Sequence, residues 1–471
     1  MAKQPPSSRQ WQLALADLLE FRFEVRVADS EHSQTIFGLL PALVLAAGLR
    51  LYAVLRFPFL HDEPRLADGL HGIMGYGPSA TVVGSWPGSF FFGGPLAGGA
   101  QNITPLWWWL DFAVLRVWPG NETLALRLPT FAFGLIGIVL FYGLARELFA
   151  PPIPALLTWL LAVDDIYLWL GTKAQFVEPA IFVAALIVAH ALLVWRNRWA
   201  AFVAAGLAAT AALGYFLLKG LMLTAHALAV GAAQAIWPRG DGWRFDWGLI
   251  LRRAVVGVAI GLPLVGWLLA AQMYIDSNYQ VRIGDVGYFH SIAKIVLALT
   301  LGYGTVAHAG QTGSPATALL YYSHADAWPT TTFLALWIVA GFGWAVWTLY
   351  ARRDESRETR WHVALYIVIV IILGLAPVIS KSVAGERFHM PYFAAALLAV
   401  GLVLEQLWQG AKGYALSRSV HLRRLIVLGV IIAGVALSLV RGPLDWGLTA
   451  PYSPEPYNGI LQLVEAKYHP K

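Results

Sequence analysis

Phe57–Asp68, FPFLHDEPRLAD, is the stretch on which the reading of this chain turns. It follows directly on the first long apolar segment, Gln34–Leu55. It places two adjacent carboxylates, Asp62 and Glu63, where a greasy helix leaves a bilayer, with His61 and Arg65 beside them. Ionisable groups at that depth are expensive to hold without partners, so such a cluster points to a site. The competing reading of the same residues is a solvated loop start, one carboxylate capping a short surface helix. Downstream, Gly75–Asn102 (GYGPSATVVGSWPGSFFFGGPLAGGAQN) reads as irregular backbone, and its aromatic content argues for an ordered cover over the membrane face.

The composition supports a membrane setting for this stretch. Of 471 residues, 58% are hydrophobic and only 13% charged, with a mean hydropathy of +0.61. A soluble globule of ordinary surface is excluded, and an integral membrane protein is implied. There is no cysteine, so neither a disulfide framework nor a thiolate metal site is available. The net charge of +6 is spread over short loops between apolar runs, which fits membrane orientation rather than a nucleic-acid partner. The polar first ~35 residues, with no small-residue cleavage site after the apolar run, are not those of a cleavable signal peptide.

Working outward, residues 1–33 are expected to be a cytoplasmic tail containing an amphipathic interfacial helix, WQLALADLLEFRFEVRV. A transmembrane domain is expected over 34–441, with external loops at 56–122 and 274–327 and a short external tail at 442–471. Lys3, Arg9, Arg22 and Arg26 precede the first span and place the N-terminus inside. Further spans are expected at 124–145, 154–170, 176–195, 200–218, 221–237, 254–273, 328–350, 363–379, 390–407 and 425–439. The fold class is therefore all-α and polytopic, with about eleven transmembrane helices. Pro105–Trp118 is too short to span comfortably, and its Trp107, Trp108 and Trp109 place it in the headgroup plane. Ile292–Tyr303 is treated as an outer interfacial or re-entrant piece. With that parity, every strongly basic loop falls on one side.

The same topology gathers Asp62, Glu63, Asp164, Asp165, Lys173, Glu178, Lys219, Lys381, Glu386 and Arg387 at the outer face. A cavity lined by carboxylates and cations is the natural inference, since mutual attraction makes such groups tolerable in a low dielectric. Each also has a plainer reading. Glu178, followed by Pro179, suits a helix start; Lys219, in YFLLKGLML, can snorkel; Lys381, Arg387 and His389 sit in a short turn that water can reach. Several cations converging beside carboxylates fit a phosphate ligand, because arginine offers a bidentate fork and lysine a compact charge.

The order of these segments resembles the C-type (GT-C) glycosyltransferase superfamily, in particular its protein O-mannosyltransferase and lipid A aminoarabinose transferase group. Four patches carry the resemblance: HDEPRLADG after the first span; TPLWWWLDFAVLRVWPGNETLALRLPTFAFGLIGIVLFYGLARELF; GYFLLKGLML; and KSVAGERFHMPYFAAALLAV. They run through most of Leu55–Val400, and the first two are fairly specific in combination. The resemblance implies a sugar donor linked to a polyprenyl phosphate and an inverting transfer on the outer face. It also implies a first-loop Asp acting at the acceptor, a lipid, glycan or protein hydroxyl.

By position, Asp62 matches that Asp, and Lys219, Lys381 and Arg387 match the donor-phosphate contacts. Glu178 stands where the family more often has Asp, and the Lys381–Arg387 turn departs from the usual spacing to its aromatic. Inverting displacement needs one base and a stabilised leaving group. Asp62 is accordingly expected as base, Glu63 or Glu178 as the group orienting acceptor or sugar, and His61, Arg65 and Tyr392 as substrate contacts. No cofactor is required; His61, His71, Glu63 and Glu178 leave room for a divalent metal without specifying a site. The alternative is a secondary transporter with an intramembrane Glu/Lys ion site, for which inverted repeats and broken helices would be the signature. A lipid-binding scaffold leaves the acidic pair without a task.

Overall fold

The structure is a computed structural model. It describes residues 38–56, 94–95, 102–103, 105–118, 122–172, 174, 177–196, 198–215, 217–239, 242–261, 266, 328–351, 358–379, 390–409 and 417–439. Its helices are α1 (Leu40–Arg56), α2 (Pro105–Val117), α3 (Glu122–Leu148), α4 (Ile153–Val163), α5 (Asp165–Leu170) and α6 (Glu178–Leu193). They continue with α7 (Trp199–Tyr215), α8 (Leu217–Ala233), α9 (Trp328–Ala351), α10 (Glu358–Ile379), α11 (Met390–Gln409) and α12 (Ser417–Leu439). Segment 247–261 is also helical.

Two helices form the centre. In α11 every residue from Met390 to Leu402 is buried, and in α6 all but Ile187 and His190 are. A helix apolar on every side belongs inside a bundle or a bilayer. α6 packs against α3, α7 and α11, while α11 also meets α9, α10 and α12. α1 and α2 lean on α3 from the flank. The outer helices turn large apolar side chains outward: Leu207, Leu336, Val339, Leu425 and Ile432 are each more than half exposed. Among the described residues, two helices are long and apolar enough to cross a membrane by themselves, Leu124–Leu148 and Met390–Gln409.

The sequence placed most of these helices correctly, and three departures have local causes. The expected single span 154–170 breaks at Asp164, which leaves the helical conformation (φ −53°, ψ 120°). Its Oδ1 accepts the Tyr167 N–H at 2.8 Å, the hydrogen bond of a residue capping a new helix. The expected span 221–237 ends at Ala233. Ile236–Arg239 then pairs antiparallel with Gly242–Phe245, a short hairpin where the span was expected to continue. Past this hairpin, Asp246 accepts the Leu249 N–H at 2.9 Å to open the helical segment 247–261, ahead of the expected 254. In the first long loop, Gly94–Pro95 pairs with Asn102–Ile103, a short ladder where irregular backbone was expected.

The expected pieces 1–33, 292–303 and 442–471 lie outside the described residues.

Candidate functional site

The first turns of α6 and α8 face each other across a buried ion pair. Glu178 is the first residue of α6 and Lys219 the third of α8. Lys219 Nζ donates to Glu178 Oε1, with the two residues only 1% and 2% exposed. The carboxylate suits its position, because a helix N-terminus carries partial positive charge; the ammonium does not, for the same reason. Glu178 therefore compensates a cation set where the α8 dipole repels it. Lys219 does not snorkel to water, so that alternative is removed. Among the described residues, Glu178 Oε2 is buried with no hydrogen-bond partner.

Gly220 fixes this geometry. A Cβ there would lie 2.2 Å from the Leu213 backbone nitrogen, so only glycine lets the start of α8 press this closely on the end of α7. Further along the same face of α8 stand Met222 and His226, at helical spacing from Lys219. The Tyr392 hydroxyl of α11 donates to Met222 Sδ at 3.3 Å, and its ring lies 4.9 Å from the His226 ring. Gly374 of α10 makes room for that ring; a Cβ there would come within 2.8 Å of it. Tyr392 thus stands one helical turn from Lys219. His226 is buried, and among the described residues its Nδ1 has no partner.

A wall of aromatic rings links this pair to a second buried cation. Phe182, one turn into α6, meets Tyr167 at 5.0 Å and Phe393 at 5.8 Å. On the far side of Tyr167 lies Arg50 of α1, fully buried, its guanidinium 5.0 Å over the ring. Its Nη atoms reach the carbonyls of Ala46 (3.3 Å), Ala162 and Tyr167 (both 3.5 Å). Gly134 and Gly171 line its stem; a Cβ on either would stand about 3 Å from Nε. Nearby, Arg127 Nη1 donates to the Val54 carbonyl at 2.9 Å, satisfying one of the acceptors left open at the end of α1. The two arginines hold the C-terminal end of α1, the point from which the FPFLHDEPRLAD stretch departs.

Of the nine site residues expected from sequence, the structure describes Glu178, Lys219 and Tyr392; it pairs the first two, and sets Tyr392 against Met222 and His226 further along α8. His61, Asp62, Glu63, Arg65, Lys381 and Arg387 lie outside the described residues, as does the candidate ligand His71. Asp164 serves as a buried helix cap. Among the described residues, no three metal-ligating side chains cluster. Arg50 and His226 were missed, although an arginine inside an apolar run was a legible signal. Asp111 was missed too. It is fully buried on α2, and among the described residues neither carboxylate oxygen has a partner. Burial pushes its carboxyl well above the usual carboxylate range.

This architecture is shared with proteins of known structure. The Archaeoglobus fulgidus oligosaccharyltransferase in its apo form superposes with a TM-score of 0.55 at 16% identity, over 86% of this chain and 56% of that one. The two chains share a fold. A second structure, archaeal oligosaccharyltransferase AglB from the same organism in complex with an inhibitory peptide and a dolichol-phosphate, gives a TM-score of 0.51 at 15% identity. It covers 89% of this chain and 59% of that one. ArnT from Cupriavidus metallidurans bound to undecaprenyl phosphate aligns over 94% of this chain and 78% of that one, at 15% identity and a TM-score of 0.49. The helical architecture expected from the sequence is thus shared with these oligosaccharyltransferase structures. The chain spans little more than half the length of the oligosaccharyltransferases. No protein-family model and no curated protein sequence matches it.

Proposed function

We propose that this protein is an integral-membrane glycosyltransferase. It moves a sugar from a polyprenyl-phosphate-linked donor to an acceptor hydroxyl on the extracytoplasmic face, with inversion at the anomeric carbon. The observation that carries the reading is the buried Lys219–Glu178 pair at the start of two helices, set within the oligosaccharyltransferase fold. A fold used for lipid-linked donors needs a cation for the phosphate, and a buried lysine beside two helix N-termini supplies one.

In this mechanism the acceptor oxygen attacks C1 of the sugar, the C1–O–phosphate bond breaks, and the electron pair leaves with the phosphate. Asp62 takes the acceptor proton. Lys219, Lys381 and Arg387 hold the phosphate as its charge grows. Tyr392, His61 and Arg65 line the substrate, and Glu63 orients the acceptor.

The test is transfer from a polyprenyl-phosphate sugar by purified Asp62→Asn protein of unchanged fold. Turnover should fall by roughly 10²- to 10⁴-fold, the usual contribution of a positioned base; near-normal turnover removes Asp62 from the mechanism. Mass spectrometry of co-purifying lipid should find a polyprenyl phosphate. Solute uptake by proteoliposomes in the absence of sugar transfer would instead favour a transporter.

A further inference from the structure

The Glu178–Lys219 pair has features that structural support alone does not require. A buried ion pair matches a well-packed apolar replacement only when its remaining lone pairs are satisfied. Here Glu178 Oε2 is buried without a partner among the described residues. The pair also places its cation in the first turn of α8, the poorer end of that helix for a positive charge. Two helix N-termini meet at this point, a field that favours an anion.

We propose that Glu178 is a positioning residue that exchanges Lys219 with the lipid phosphate, which rests on reading Lys219 as a donor-phosphate contact. Before the donor binds, the carboxylate holds the ammonium. Lys219 then passes to the phosphate, and Glu178 reclaims it as the spent lipid leaves.

The chemistry of the proposed transfer creates the need for such a competitor. The donor is a phosphodiester with one negative charge. When C1–O–phosphate cleavage leaves the electron pair on oxygen and the acceptor proton goes to Asp62, the product is a phosphate monoester. A monoester approaches two negative charges near neutrality, because its second pKa lies near 6. Cations that stabilise the leaving group therefore hold the product more tightly than the donor. A carboxylate within reach of one of those cations speeds release, and leaving it uncompensated in a dry bundle is unfavourable enough to draw the lysine back.

The experiment is binding of undecaprenyl phosphate to the purified full chain in nanodiscs, read by native mass spectrometry. Glu178→Gln should bind at least about fivefold more tightly than wild type, and Lys219→Met at least about fivefold more weakly. Glu178→Asp, with a shorter reach toward Lys219, should fall between wild type and Glu178→Gln. In turnover, Glu178→Gln should lower both KM for the donor and kcat while sparing the first turnover, a split that loss of structure does not produce. Equal or weaker binding by Glu178→Gln, with Lys219→Met still weak, overturns the exchange but leaves Lys219 on the phosphate. Normal binding by Lys219→Met overturns the reading beneath it. Should Glu178→Gln fail to fold, Glu178→Asp carries the test, and binding no tighter than wild type refutes the exchange.

Discussion

Arg50 and Lys219 are both buried cations near the same aromatic wall, and they are held in opposite ways. Arg50 is gripped at several points: three backbone carbonyls, the face of Tyr167, and two glycines that leave its stem no room. Lys219 reaches one oxygen of the Glu178 carboxylate from a long flexible stem, and among the described residues the second oxygen of that carboxylate is buried without a partner. Arginine's planar fork suits a fixed multi-point grip, whereas lysine's compact charge is free to change partner. The first arrangement anchors helices and the second can do chemistry.

The sharpest way to break this comparison is to remove each cation in turn. Lys219→Met should cost about 10²- to 10³-fold in kcat for sugar transfer, the usual loss on deleting one preorganised stabiliser of developing charge. Arg50→Met should act on stability instead. With three carbonyls losing a donor and a tight pocket refilled badly, unfolding free energy should fall by about 2–4 kcal/mol, seen as a lower melting temperature in detergent.

Smaller perturbations sharpen the contrast. Gly220→Ala puts a methyl into the α7 backbone and should cost about 1–3 kcal/mol of stability, lowering transfer because Lys219 moves with its helix. Asp111→Asn tests a third buried ionisable group, one with no hydrogen-bond partner among the described residues. The Asp111 carboxyl is raised by burial, so the folded state keeps its proton while the unfolded chain loses it above about pH 4. Wild-type stability should therefore decline as pH rises from 4 toward 8. Melting curves of Asp111→Asn should show a flatter decline across that range, with little gain at pH 4.

Most helices were legible because long apolar runs are nearly unambiguous; 124–145 and 390–407 became Glu122–Leu148 and Met390–Gln409. The break at Asp164 was not, since a single capping aspartate in an apolar run looks like one more intramembrane charge until its 2.8 Å bond to Tyr167 is seen. Glu178, Lys219 and Tyr392 were each visible as residues out of place. Their union was not, because spacing within one helix says nothing of a partner 41 residues away on another. Arg50 lay in plain sight inside α1, yet two of its three carbonyl partners are more than 100 residues distant. Gly220 and Gly374 matter for atoms they lack, and only packed neighbours reveal that.

The tight corner at Gly220 sets a limit on motion. With the opening turn of α8 seated against the α7 main chain, that turn cannot move further toward α7. Whatever the ammonium touches must lie within the sweep of its own four methylenes, so under the proposed exchange that corner is the fixed point against which the lipid phosphate would have to be placed.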